Sequence, residues 1–335
     1  MNKLKKILFR WEVALAVILI LEIVVFGAIN PRFLRVNVLL GSINDFISTC
    51  IIALFVTFVI ITGGIDISGG SIVGLTSMVL GLLWQDAGLN IWVAVPLALL
   101  TGLLCGALNG FLVAYTGVQA MVVTLGGMFL YSGLALVLGS LSVSSAYEGI
   151  SGFPEPFLKI AGGKLFNLIP NPFIIFIALV IIAYIILHHT NYGRYIFLVG
   201  VNPNSAKYSG IDYRLVTMST YMLSGLSASV AGVVLTSYLG SSRSDLGKEL
   251  TMPIITAVVL GGTAITGGKG GVIGTAIASV VVGILRFGLQ MAKVPTQYLD
   301  IPVGVLLVVA VMIRGLSLVV KKRPAIFTNK QKSIK

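Results

Sequence analysis

The chain has 335 residues, of which 57% are hydrophobic and only 10% are charged. Soluble domains carry about 25% charged residues, so this composition excludes an ordinary soluble enzyme and indicates an integral membrane protein. The net charge of +12 does not indicate nucleic-acid binding, because the predicted topology, described below, places the excess of Lys and Arg on one face of the membrane.

Apolar runs of membrane-spanning length make up most of the chain. Since a helix needs about 20 apolar residues to cross a bilayer, the runs predict an all-α integral membrane protein with about ten transmembrane helices. The eighth run is too short to cross alone. The predicted spans are 13–29, 46–62, 71–85, 91–115, 118–138, 170–188, 214–238, 252–262, 271–291 and 301–320.

The distribution of basic residues predicts the orientation. Placing the N-terminus inside puts the excess of Lys and Arg on that side, as the positive-inside rule requires. Both termini are then cytoplasmic. We expect a cytoplasmic N-terminus (1–12), a single transmembrane domain (13–320) and a basic cytoplasmic tail (321–335). The two hydrophilic loops fall outside the membrane near 139–169 and in the cytoplasm near 189–214.

A glycine-rich break separates the second and third predicted spans. It contains Gly63, Gly64, Asp66, Ser68 and Ser71. A flexible backbone survives at membrane depth only against other protein or beside water. These residues therefore predict a hinge or an inner gate near the cytoplasmic face.

A second break follows the eighth run and has similar spacing, with Gly261, Gly262, Gly267 and Gly268. Paired glycine interruptions in the two halves of a transporter indicate its central site or gates. Chance similarity is an equal alternative, because membrane helices are rich in glycine. Residues 263–270 lack the first Gly and the final Ser or Thr of a phosphate-binding loop, so we predict no ATP site.

The cytoplasmic loop near 189–214 predicts a short helix. Asn202 suits an N-cap, Pro203 suits the first helical position, and Gly210 suits a C-terminal stop. A helix from about Pro203 to Ser209 is too short to be stable alone in water, so it must dock. A partner protein and the chain's own spans are both possible docking surfaces.

Few side chains can support catalysis or metal binding. Glu22 and Arg286 lie within predicted spans, where a charge is costly and indicates function or pairing. They could pair with each other, Glu22 could hydrogen-bond a neighbouring helix or keep its proton, and Arg286 could extend to the interface. His188 and His189 are adjacent and have no third ligand at metal-site spacing. We therefore expect neither a metal site nor an enzyme.

Four blocks of sequence carry a family resemblance, namely Gly63–Ser71, Val123–Gly126, Gly200–Ile211 and Ala257–Gly268. They resemble the membrane subunits of bacterial ABC importers for ribose and related sugars. The first block differs from the family signature at Ile67 and Gly69, and Ser205 stands where the third usually has Ala. The resemblance covers nearly the whole chain and implies the ABC importer permease fold.

The resemblance implies a multi-pass subunit of a bacterial inner-membrane complex. Its expected partners are a second, related C-type permease, two copies of a cytoplasmic ATPase and a periplasmic substrate-binding protein. ATP and Mg²⁺ would bind the ATPase, and this chain would bind no cofactor. The family's ATPase-coupling segment corresponds here to Asn202, Ser205, Ala206, Ser209, Gly210 and Ile211.

One departure from the sugar-permease sequence pattern narrows the range of expected substrates. Sugar permeases usually carry Glu-Leu-Asp before the last block, whereas this chain has Thr251-Met252-Pro253. Together with residues 11–15, 147–150 and 241–247, this resembles the branch that imports autoinducer-2, a small furanone-derived polyol. The low charge of the spans suits any small neutral polar substrate, so ribose or another monosaccharide is an alternative. An ion-coupled secondary transporter is a more remote one.

Overall fold

The computed structural model of the protein describes residues 11–142 and 149–321, and these form thirteen α-helices, two 3₁₀-helices and four two-residue strands. The predicted N-terminal segment 1–12 and basic tail 321–335 lie almost entirely outside the described residues. So does the part of the outer loop at 143–148.

The helices follow one another with short connections. The first seven are α1 (Trp11–Ile29), α2 (Val36–Ile61), α3 (Gly69–Gln85), α4 (Ile91–Thr116), α5 (Ala120–Leu141), α6 (Glu155–Gly162) and α7 (Asn171–His189). The next six are α8 (Asn191–Val201), α9 (Pro203–Tyr208), α10 (Tyr213–Leu239), α11 (Thr251–Leu260), α12 (Val272–Met291) and α13 (Asp300–Lys321).

Seven helices of the described part are long and apolar enough to cross a membrane, namely α1, α2, α4, α5, α7, α10 and α12. Helices α3 and α11 and the segment Thr296–Met312 are apolar but shorter. Each of the ten predicted spans therefore coincides with an apolar helix. The prediction that the eighth is too short to cross alone is confirmed, since α11 has 10 residues.

The main error in the predicted boundaries concerns α2, which begins at Val36 rather than at residue 46. The helix accommodates the polar residues that precede the predicted span. Ser42 Oγ donates a hydrogen bond of 2.8 Å to the carbonyl of Leu39. The exposed carboxylate of Asp45 accepts one of 3.0 Å from the hydroxyl of Tyr238.

Helix α2 is the centre of the protein, and α10 packs on both α2 and α4. The contact between α4 and α10 is close because glycines line it. A Cβ at Gly102 would collide with the carbonyl of Gly225, and one at Gly106 would collide with that of Tyr221. Small residues allow such approach in lipid, where dispersion and packing hold helices together.

The outer loop near 139–169 is more structured than its turn-rich sequence predicts. Besides α6 it contributes three two-residue strands to two antiparallel ladders, whose fourth strand follows α10, so a few short strands accompany the helices. The rings of Trp84 and Phe153 lie 4.9 Å apart and pack the loop on the end of α3. Strand β1 (Ile150–Ser151) pairs with β4 (Ser241–Ser242), and β2 (Lys164–Leu165) pairs with β3 (Ile169–Pro170).

The segments that connect the helices lie at two ends of the protein, and their contacts show which segments share an end. The end of α2 meets the segment after α11, where Gly268 N donates to Ile61 O at 2.8 Å. The end of α4 meets the start of α10, where the Arg214 guanidinium lies 5.5 Å from the Tyr115 ring. We call this the inner end, after the predicted orientation. The end that carries the β1–β4 ladder is the outer end.

Candidate functional site

The first glycine break is shorter than predicted. Helix α2 ends at Ile61, residues 62–68 are not helical, and α3 begins at Gly69. Ser71, expected in the break, lies in the first turn of α3. Gly63 has a φ of +87°, a conformation that glycine adopts readily and other residues rarely do. The chain turns there and runs back into the protein.

Asp66 is the centre of a buried hydrogen-bond network. Its side chain is 3% exposed. Oδ1 accepts from Ser68 N and Ser68 Oγ at 2.9 and 2.7 Å, and Oδ2 accepts from Ser224 Oγ at 2.7 Å. Asn109 Nδ2 donates to Ser68 Oγ at 2.9 Å, and the Tyr131 hydroxyl donates to Asn109 Oδ1 at 2.9 Å. The network joins the break to α4, α5 and α10.

This network lies deep in the protein. Tyr131 and Ser224 are each about three turns, or about 16 Å, from the inner ends of their helices. Asp66 and Ser68 are therefore deeper than the inner-face position that the sequence predicts. Gly63 and Gly64 stay at the inner end, where Gly64 lies against the hydroxyl of Tyr221 with no room for a Cβ.

The second break lies against the first. Gly262, Gly267 and Gly268 have φ angles of +103°, +84° and +73°. The amide of Gly268 donates to Ile61 O at 2.8 Å, and a Cβ built at Gly267 would lie 3.1 Å from Gly63. The two segments that resemble each other in sequence are thus in direct contact.

Gly261 serves a different purpose, because it lets α11 meet α12. A Cβ at Gly261 would collide with the backbone of Thr275, and one at Gly274 would collide with the carbonyl of Gly261. The end of α11 is therefore held against the start of α12 by backbone contact.

The segment after α10 enters the protein alongside α3, a course that the sequence does not reveal. It begins at the outer end with Ser242, whose Oγ lies 3.2 Å from Ser77 Oγ. Further along, Ser244 O lies against Gly74 and Gly247 O against Gly70, each with no room for a Cβ. Since α3 runs inward from Ser77 to Gly70, residues 241–250 descend with it. We call them the descending segment.

The descending segment leads to the start of α11 at mid-depth. Thr251 Oγ1 donates to Ile67 O at 3.4 Å, so the starts of α3 and α11 are adjacent. A crevice too narrow for a water molecule lies between them. Its lining includes Ile52, Val56, Asp66, Gly70, Thr251 and Ile254.

Arg286 does not pair with Glu22, which corrects one of the alternatives drawn from the sequence. Its Nη2 lies 3.3 Å from Glu249 Oε2 and 3.4 Å from Asp300 Oδ1. Glu22 is 8% exposed, and its Oε2 has no hydrogen-bond partner among the described residues. The pairing partners of Arg286 are distant in sequence, so spacing could not have identified them.

The predicted short helix in the inner loop is confirmed as α9. The Asn202 side chain caps it, accepting from the amides of Asn204 and Ser205 at 2.9 and 3.2 Å. Ala206 is buried beneath it. The helix ends at Tyr208, and Gly210, two residues later, has a φ of +79°. Ser205 and Ser209 are exposed, and the amide of Ile211 donates to Ala206 O at 3.1 Å.

Helix α8, which precedes α9, was not predicted. The Tyr192 hydroxyl lies 2.6 Å from Ser219 Oγ and anchors α8 to α10. Burial raises the pKa of this phenol. The other end of α8 reaches the last residue of α2, next to the first break, and the second break. A Cβ at Gly200 would collide with Ile61 O, and one at Gly268 would lie 2.9 Å from the Val201 side chain.

Two functional candidates were missed in the sequence. Val201 is 73% exposed and Tyr208 is 92% exposed, on either side of the exposed surface of α9. Large apolar side chains within an otherwise hydrophilic loop were the available signal. Together with Lys207 they form the outward face of this segment.

Comparison with known proteins identifies the family. The family profile described as branched-chain amino acid transport system / permease component matches residues 38–311. The chain belongs to this permease family. It is 48% identical to the autoinducer 2 import system permease protein LsrD of Enterobacter sp. strain 638, over 92% of this chain and 94% of that protein.

Other relatives agree with the first. The LsrD proteins of Klebsiella pneumoniae strain MGH 78578 and of Escherichia coli K12 are 47% and 48% identical, each over 93% of this chain and 94% of its relative. No solved structure matches. The permease is thus similar over nearly its whole length to subunits of one import system.

Proposed function

We propose that this permease is the membrane-spanning subunit of an ATP-driven importer and forms part of the path for autoinducer-2. The observation that carries the mechanism is the contact of Gly200 with Ile61, immediately before the first break, and of Gly200 and Val201 with Gly268 in the second break. These contacts directly precede the capped helix α9. The substrate is proposed from the names of its relatives, which are about equally similar to this chain. ATP hydrolysis is assigned to a separate subunit.

The proposed assembly contains this chain, a related C-type permease, two cytoplasmic ATPase subunits and a periplasmic binding protein. It lies in the bacterial inner membrane. This chain would cross the membrane ten times, with both termini in the cytoplasm. The contacts that gather α9 and both breaks at one end of the protein support this arrangement, since the ATPase must act on one face.

In the proposed mechanism, α9 carries the movement of the ATPase to the breaks. A helix of 6 residues with exposed Tyr208 and Lys207 fits a groove on a partner. Displacing α9 moves Gly200, and Gly200 is in contact with Ile61. The break at 62–68 and the second break would then shift together. Alternating access needs such a rigid connection between the ATP-driven element and the gate.

The substrate is proposed to be a small neutral polyol. Ribose or another monosaccharide is the second candidate, because it shares that chemistry. Proton coupling through Asp66 is less suitable, since hydrogen bonds from Ser68 and Ser224 occupy both carboxylate oxygens. Vesicle uptake that persists without ATP but requires a proton gradient would favour the secondary-transporter alternative.

The test uses the complex with its own ATPase, second permease and binding protein, reconstituted in vesicles. Wild-type complex should import autoinducer-2 with ATP and accelerate hydrolysis when the loaded binding protein is present. Ser205→Trp should abolish this stimulation by wedging α9 out of its groove. Ser140→Trp, at an exposed serine on the outer end of α5, is the control. Full stimulation in an assembled Ser205→Trp complex contradicts the coupling role.

A further inference from the structure

Exposed charged side chains lie near the middle of this membrane protein. Lys248 and Glu249 follow Gly247, which contacts Gly70 at the start of α3. They come just before α11, whose 10 residues place its start about 15 Å from the inner end. The longest helix, α10, has 27 residues and is about 40 Å long. Arg286, which pairs with Glu249, lies five residues before the outer end of α12 at Met291, so the two charges lie between the middle of the protein and its outer end.

A position facing lipid is unfavourable for both side chains. The Glu249 side chain is 72% exposed even though Arg286 lies 3.3 Å away. Lys248 is exposed as well. A charge facing hydrocarbon at the bilayer centre costs at least about 2.5–3.5 kcal/mol, so such groups face water or protein. By contrast, exposed residues on α4 at comparable depth are apolar, as at Leu104 and Leu108.

The charges around this position are balanced. Arg286 bridges Glu249 and Asp300. The Arg286 side chain is 17% exposed, that of Glu249 is 72% exposed and that of Asp300 is 63% exposed. With Lys248 the group has as many positive as negative members. Such a surface offers donors and acceptors in alternation without a strong net field, which suits a neutral molecule with several hydroxyl groups better than an ion.

We propose that the descending segment forms the solute-facing wall of the translocation path, and that Lys248 and Glu249 hydrogen-bond the hydroxyl groups of a neutral polyol there. The carboxylate accepts from hydroxyls and the ammonium donates to them. Thr251 lies at the inward end of this wall. The proposal deepens the proposed transport function and rests on it for the identity of the solute.

The first test measures access of water to this wall. Lys248→Cys is introduced in the full complex in nanodiscs and treated with a charged thiosulfonate. The native Cys50 and Cys105 are buried and should not react. Leu104→Cys is the matched control, because Leu104 is 59% exposed and lies about 18 Å from the inner end of α4.

Lys248→Cys should react at least about tenfold faster than Leu104→Cys, since a charged reagent is excluded from lipid. Both variants should react fully after denaturation, which shows that each thiol is present. Equal slow rates in the folded complex overturn the proposal. The labelling rate does not depend on transport. A wrong assignment of the descending segment can therefore be distinguished from a wrong proposed function.

The second test concerns the contact with solute. Glu249→Gln should raise the KM for polyol uptake about tenfold, equivalent to one charge-assisted hydrogen bond. Asp300→Asn removes the other acid on Arg286 and should leave KM within about twofold, because it acts only on that ion pair. An unchanged KM for Glu249→Gln, or an equal rise in both variants, overturns the solute contact.

Discussion

The carboxylate of Asp66 is satisfied by hydrogen bonds rather than by a cation in the described part of the chain. Replacing it with Ala leaves the amide and hydroxyl of Ser68 and the hydroxyl of Ser224 without their acceptor. Leaving buried donors unpaired costs about 1–3 kcal/mol each when none can reorient. We expect Asp66→Ala to lower the free energy of unfolding by roughly 3 kcal/mol, measured by denaturation of the purified chain in mixed micelles.

Asp66→Asn is the matched control for that loss. Its side-chain oxygen can still accept from Ser68, and its amide can donate to Ser224 Oγ, since a hydroxyl both donates and accepts. The destabilisation should be less than half of that caused by Ala. Equal losses would mean that the charge, and not the hydrogen-bond geometry, stabilises the break.

Gly200 offers a second test at the scale of one residue. Gly200→Ala introduces a methyl group where Ile61 O and Gly268 N already lie in contact. The end of α8 must then move away from both breaks, and overpacking of this kind costs about 1–3 kcal/mol. Uptake by the reconstituted complex should fall about tenfold.

The control for this substitution is Gly41→Ala in α2, because no atom lies within 4 Å of a Cβ built at Gly41. It should leave uptake unchanged. If Gly200→Ala transports at the wild-type rate in an assembled complex, the contact between α8 and the breaks does not transmit movement.

At the scale of elements, the stability of α9 depends on its cap. Asn202→Ala removes the oxygen that accepts from Asn204 N and Ser205 N, at a cost of about 1 kcal/mol. If α9 is the docking element, the affinity of the permease for its ATPase should fall about fivefold. Asn202→Asp keeps a capping oxygen and should restore it. Titration of labelled ATPase onto nanodiscs measures both.

Elements with local signals could be predicted from the sequence, and elements set by distant contacts could not. Asn202, Pro203 and Gly210 define α9 by chemistry within a few residues, and the structure agrees. The course of the descending segment depends on Gly70 and Gly74, which are far away in the chain. A polar stretch between apolar runs is compatible with an ordinary outer loop, so nothing local distinguishes the two.

The candidate site shows the same division. The spacing of the glycines predicted both breaks, because an irregular backbone between apolar runs must be covered by protein or face water, and this holds for a single sequence. It could not show that Gly268 would donate to Ile61 O, or that Gly200 would join them. The depth of Asp66 in the protein could not be predicted from the sequence either. The chain re-enters the protein at Gly63, so Asp66 is deep although only a few residues from the inner end.

At the scale of the whole molecule, the connecting segments lie at two opposite ends. This arrangement predicts which residues are accessible from each side of the membrane. Tyr208 is 92% exposed at the inner end, and Phe166 is 86% exposed between β2 and β3 at the outer end. Because the native cysteines are buried, a cysteine at either position reports its own environment. Basic residues concentrate on the predicted cytoplasmic side, which is the side of Tyr208.

A membrane-impermeant maleimide applied to intact cells should therefore label Phe166→Cys and not Tyr208→Cys. Disrupting the cells should make both reactive, which controls for expression and for the intrinsic reactivity of each thiol. The opposite pattern would place α9 outside the cell, where no ATP-hydrolysing subunit could act on it. Labelling of both positions in intact cells would contradict the assignment of α9 and the β2–β3 ladder to opposite faces. The experiment thus tests the orientation on which the coupling mechanism depends, without requiring the substrate or any partner subunit.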